Sequence, residues 1–123
     1  MSSSDIVRAT ERLYHIDGRF EVSGLEELTS VQTDYVRELK RAMAEEDLMI
    51  EVEALKSLGD VFLEKGKISG VLAEFGKAHS LYSVALARCT HIGEVQTLLH
   101  RVEYARAFID KTTPQNQHGN RNK

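Results

Sequence analysis

The sequence predicts an all-α protein, and three observations carry that prediction. Strong helix formers dominate a chain of 123 residues that holds one proline and no tryptophan. Apolar residues recur at i, i+3, i+4 and i+7 over most of its length, the spacing that gathers them on one face of a helix. No alternating β-branched run supports a sheet. The hydrophobic share of 41% and charged share of 28% are those of a soluble globular protein, and the length suits one domain with a modest core.

Taken in order, the first helix starts with Ser4 as its cap, carries Ile6, Ala9, Leu13 and Ile16 inward, and ends at Gly18. A longer second helix, roughly 24–46, places Leu28, Val31, Tyr35 and Leu39 on one face. Glu45-Glu46-Asp47 marks the corner, its acids suited to the positive end of the next helix dipole. Leu48, Met49, Ile50 and Val52 then lead into Leu55, Leu58, Val61, Phe62 and Leu63. Gly66, flanked by Lys65 and Lys67, is expected to stop this third helix with a left-handed cap. Gly59 lies inside it, where glycine is less favourable than alanine by about 1 kcal/mol, so a closely packed second helix is expected there.

Ser69 is expected to cap the fourth helix, which carries Val71, Leu72, Phe75, Ala78, Tyr82, Ala85, Leu86 and Cys89 inward. A short loop, 90–93, leads to a final helix from Glu94 to Lys111 with Val95, Leu98, Leu99, Val102, Ala105, Phe108 and Ile109 facing the core. Residues 112–123 contain no apolar side chain and read as a disordered polar tail.

A repeat is visible in this order. Leu28, Val31, Tyr35 and Leu39 stand opposite Phe75, Ala78, Tyr82 and Leu86 at a constant offset of 47, and periods of 20 to 50 residues mark stacked helix pairs. The stretch Leu58-Gly59-Asp60-Val61-Phe62-Leu63-Glu64-Lys65-Gly66-Lys67, followed by small–aromatic–small spacing, resembles the tetratricopeptide repeat (TPR). The resemblance is specific over 55–89 and weak before it: no Leu-Gly pair precedes Tyr14, and the closing proline of the pattern is missing. On the following helix two registers match, Val71, Phe75 and Ala78 by spacing, or Ala78, Tyr82 and Ala85 by residue type. The second is preferred, because a lengthened helix there parallels the long helix 24–46.

The resemblance implies a short TPR-like α-solenoid over residues 1–111, with a degenerate repeat at 4–46, a clearer one at 48–90 and a capping helix at 94–111. It also implies a protein-interaction module, an adaptor or scaffold without catalysis, that takes a peptide or helix on the concave face of the first helices. Carried over by position, that face includes Glu53, Lys56, Asp60 and Glu64 from the second unit and Arg8, Arg12 and His15 from the first. Asp60 stands where the carboxylate-clamping members place an asparagine, so that activity is disfavoured. Two repeats are fewer than the usual three or more.

Self-association is the alternative. Residues 1–61 carry 14 acids and 7 bases, whereas 62–123 carry 5 acids and 9 bases, an asymmetry that permits head-to-tail attraction between opposed halves or stacking of end faces. A pI near 5.9 and the absence of a basic stripe exclude a nucleic-acid partner. No stretch approaches the roughly 20 apolar residues of a membrane span, and the polar start has no signal-peptide core.

One cysteine forms no internal disulfide and fits a reducing, cytoplasmic setting. Phosphate loops, His-Glu-x-x-His, paired cysteines and nucleophile elbows are all missing. His100 with Glu103, and Glu11 with His15, share helix faces, but neither pair completes a metal site; no cofactor is expected. Tyr14, Tyr35, Tyr82 and Tyr104 read as core aromatics with rim hydroxyls.

Overall fold

The structure, a computed structural model, describes residues 3–21 and 25–112. They form α1 (Ser3–Glu21), α2 (Leu25–Ala44), α3 (Leu48–Ser69), α4 (Leu72–Arg88) and α5 (Ile92–Thr112). No strand occurs among the described residues, so the all-α class holds. Of the polar tail expected from 112 onward, all but Thr112, the last residue of α5, lies outside the described residues.

The third helix is the hub. It packs against α1, α2 and α4, and α4 in turn carries α5. Leu58 and Val61 join Leu13 and Ile16 of α1 and Leu28, Val31 and Tyr35 of α2 in one cluster. Leu63, Phe75, Ala78, Tyr82 and Ala105 form a second, across α3, α4 and α5. Val52, Leu55, Ala85 and Leu98 form a third between the same three helices.

Two expected helix ends move. The first helix runs through Ser4 and Gly18 to Glu21, so neither residue marks its boundary. The third helix likewise runs through Gly66, and the reversal falls at Gly70, whose φ of 73° supplies the left-handed cap and whose N–H donates to the Gly66 carbonyl. Gly66 is small for a different reason. A Cβ there would lie 2.7 Å from the Phe75 ring, so its missing side chain admits α4 rather than turning the chain.

Ser69 does not cap α4 as expected. Its hydroxyl donates back to the Lys65 carbonyl at 2.7 Å and accepts from the Val71 N–H at 3.2 Å, while the N-cap position is Val71 without a side-chain bond. Val71 and Leu72 sit at this tip and are exposed, contrary to expectation, as are Leu99, Tyr14 and Tyr104. Cys89 is half-buried at the end of α4.

At the α2–α3 corner the Asp47 N–H bonds the Ala42 carbonyl at 2.8 Å, and the Asp47 carboxylate caps α3 through the Ile50 N–H at 3.2 Å. This closure places Glu46 at φ 58°, a conformation that crowds any Cβ. Glu46→Gly is therefore expected to raise stability by about 0.5–1 kcal/mol, the relieved crowding exceeding the added freedom of the unfolded chain. Urea unfolding checks it; a loss would show that the Glu46 side chain holds the corner by other means.

The correspondence of Tyr35 and Tyr82 extends to their hydrogen-bond partners. Tyr35 and Tyr82, both fully buried, direct their hydroxyls to Asp17 and Asp60 of the preceding helices. Leu58 and Val61 pack on α2, and Val102 and Ala105, 44 residues later, pack in the cluster of α4. Thus α5 stands to α4 as α3 stands to α2. The same offset turns Leu55, Gly59, Leu63 and Gly66, which meet α4, into Leu99, Glu103, Ala107 and Asp110, all exposed. Glu103 and Asp110 put charges where α3 has Gly59 and Gly66, so this face of α5 lacks the apolar seam that α3 offers to α4.

Candidate functional site

The stripe Glu53, Lys56, Asp60, Glu64 and Lys67 follows one face of α3 at helical spacing, and that face looks along α5. Lys56 Nζ lies 3.1 Å from Glu53 Oε1 and 3.1 Å from Glu94 Oε1. One turn on, Asp60 accepts both prongs of Arg101, Nε at 2.8 Å and Nη2 at 3.1 Å, together with the Tyr82 hydroxyl. Arg101 is half-buried and holds α5 to α3.

Below this fork opens a groove of about 340 Å³ lined by Phe20, Asp60, Leu63, Glu64, Lys67, Tyr82, His100, Arg101 and Tyr104. Leu63 and the buried Tyr82 ring belong to its floor, and Phe20 of α1 closes one edge. Glu64, Lys67, His100 and Tyr104 are its more accessible residues. His100 stacks on Tyr104 with centroids 6.2 Å apart, and Tyr104 meets Phe108 edge-on at 5.1 Å. Lys67 Nζ hovers 5.5 Å from the Tyr104 centroid and 5.6 Å from that of Phe108, close enough for a cation–π attraction.

The residues carried over from the family pattern are thus divided. Asp60 and Glu64 reach the groove, whereas Glu53 and Lys56 are tied into the adjacent ionic cluster. Arg8 bonds Asp47 at the α2–α3 corner, and Arg12 reaches Glu38 at 2.9 Å and Glu45 at 3.4 Å. Arg12 therefore faces α2, and Arg8 the cap of α3. His15 is exposed against the edge of Tyr14. The groove residues missed from sequence come mainly from α5, read only as a cap; Arg101 follows Ser57 by the same 44 residues that relate the packing positions.

Burial, reinforced by the charge of Glu94 and opposed by Lys56, raises the Glu53 carboxyl above its ordinary range. Glu94 suffers partial burial too, but the Lys56 ammonium holds it below its ordinary range. A raised carboxyl contributes stability that is present below its unfolded pKa and lost as pH rises through the folded pKa. Glu53→Gln removes that titration. The variant is expected to gain on the wild type in urea-unfolding free energy between pH 4 and pH 7; a constant difference would place Glu53 in an environment that does not penalise its charge.

Among the described residues no group of three or more His, Cys, Asp or Glu side chains is arranged to hold a metal ion, and no helix is long and apolar enough to cross a membrane. The opposite charges of the two halves meet inside the fold: Arg88 pairs with the buried Glu51, and Arg101 with Asp60. No family model, no curated protein and no solved structure matches the chain.

Proposed function

We propose that the chain is a TPR-like protein-interaction module, an adaptor or scaffold in the cytoplasm, whose α1–α3–α5 face takes a peptide or helix. One observation carries this reading. Three helices that are not consecutive, each the first member of its pair or the cap, supply all but one of the residues lining a single groove, and the Tyr82 ring of α4 completes its apolar floor beneath a polar rim, the composition of a site that gains area from its floor and orientation from its edge.

The deepest polar groups are satisfied within the protein, since Asp60 is matched by Arg101 and Tyr82. A partner therefore loses little by covering them. Asp60 also repels an incoming carboxylate less than its sequence position suggests. Self-association draws no comparable support: the charge asymmetry is partly consumed by Glu51–Arg88 and Asp60–Arg101, and the exposed Glu103 and Asp110 put charges on the outer face of α5.

Panning a random peptide library against the protein tests the proposal, with selected peptides mapped by amide chemical-shift changes. Shifts concentrated at Leu63, Glu64, Lys67, His100 and Tyr104, and binding weakened about tenfold or more by Tyr104→Ala, are the expected result for a central aromatic contact. Peptides mapping instead to the exposed tip at Ile68, Val71 and Leu72, or no binding peptide at all, would overturn it.

A further inference from the structure

We infer that this groove selects a partner segment presenting an arginine, whose guanidinium stacks on Tyr104 and pairs with Glu64 in place of Lys67; the inference rests on the interaction-module reading above. The state of each charged group at the groove decides the sign of the ligand. Arg101 already spends two donors on Asp60, and Asp60 accepts a third bond from Tyr82. Neither has its main charge available.

Glu64 differs. Its side chain is 43% exposed, and its contact with Lys67 is a loose 3.9 Å. The exposed Tyr104 ring sits beside it, backed by His100 on its face and Phe108 on its edge. The chain's own Lys67 ammonium already lies over Tyr104 and Phe108, so the rings hold a cation now. A guanidinium fits the same place better than an ammonium, because it is planar enough to stack and presents a fork of donors to a carboxylate. An acidic side chain would meet the exposed Glu64 and find Arg101 engaged.

Lys67 then acts as an internal competitor, which gives the inference a distinctive test. N-acetyl-arginine amide and N-acetyl-glutamate amide are titrated against the protein while the Tyr104 ring protons are followed by NMR. The arginine derivative is expected to shift these resonances and the glutamate derivative to leave them in place. Lys67→Ala should tighten the arginine derivative roughly two- to fivefold, the range of an exposed cation–π contact, and Glu64→Gln should weaken it. A lysine that merely supports the wall would give weaker binding when removed, and that result, or equal shifts from both derivatives, overturns the inference. The selected library peptides separate the two levels: groove binders indifferent to replacement of each arginine by glutamine overturn arginine selection alone, whereas peptides mapping elsewhere overturn the groove itself.

Discussion

Replacing Tyr82 with alanine is expected to lower the unfolding free energy by about 3–5 kcal/mol, the usual loss for a large aromatic removed from a core. The ring is fully buried, and it occupies the space left by Gly59. Its hydroxyl completes the Asp60–Arg101 fork, so one side chain joins α3, α4 and α5. Burial and the bond to Asp60 push the phenol far above its ordinary range, which keeps it a protonated donor throughout the working pH range.

Tyr82→Phe separates these contributions. It keeps the ring and removes the bond to a charged acceptor, so a smaller loss of about 1.5 kcal/mol is expected, with Asp60 still held by Arg101. Urea unfolding of both variants measures the difference. A domain of ordinary stability, about 5–15 kcal/mol, would lose a large share of it in the alanine variant; a loss below 1 kcal/mol would mean that α4 does not pack on Gly59 through this ring.

Two glycine-to-alanine substitutions are expected to act in opposite directions. At Gly59 an added Cβ would lie 2.5 Å and 2.7 Å from two ring carbons of Tyr82, whereas at Gly76 nothing lies within 4 Å. The Tyr82 ring is anchored at its far end by Asp60 and cannot swing aside freely. Overpacking there costs about 1–3 kcal/mol, which exceeds the gain of about 1 kcal/mol in helix propensity. Gly59→Ala should therefore destabilise by up to about 2 kcal/mol. Gly76→Ala keeps the propensity gain unopposed and should stabilise by about 0.5–1 kcal/mol. The midpoints of thermal unfolding, compared with wild type, check both, and a stabilised Gly59→Ala would contradict close approach of α3 and α4.

The glycines also show where sequence reading stops. Gly59 was legible as a packing glycine because it interrupts a strongly periodic segment. Gly66 carries the same chemistry but lies beside lysines at the end of the apolar run, where turn and packing glycines look alike. Only the position of Phe75 distinguishes them. The turn consequently falls at Gly70, and Ser69 bonds back to α3 instead of capping α4.

The candidate site was legible in part for a related reason. The family resemblance, carried over by position, implied Asp60 and Glu64, and these two do line the groove. It did not reveal that Lys56 binds both Glu53 and Glu94, that Arg12 turns toward α2 and Arg8 toward the cap of α3, or that Arg101 forks onto Asp60. Each of these depends on a partner far away in the chain.

By itself, then, the sequence determined the all-α class, the order of the five helices and most of their buried faces, since periodicity and propensity act within a few turns. The 47-residue correspondence of Tyr35 and Tyr82 was likewise written in it. Tertiary structure decided which glycine turns the chain, which charges neutralise each other and where a groove remains open. Those outcomes depend on distances between separate helices, and a linear pattern does not encode the sum of packing and Coulomb interactions that sets them.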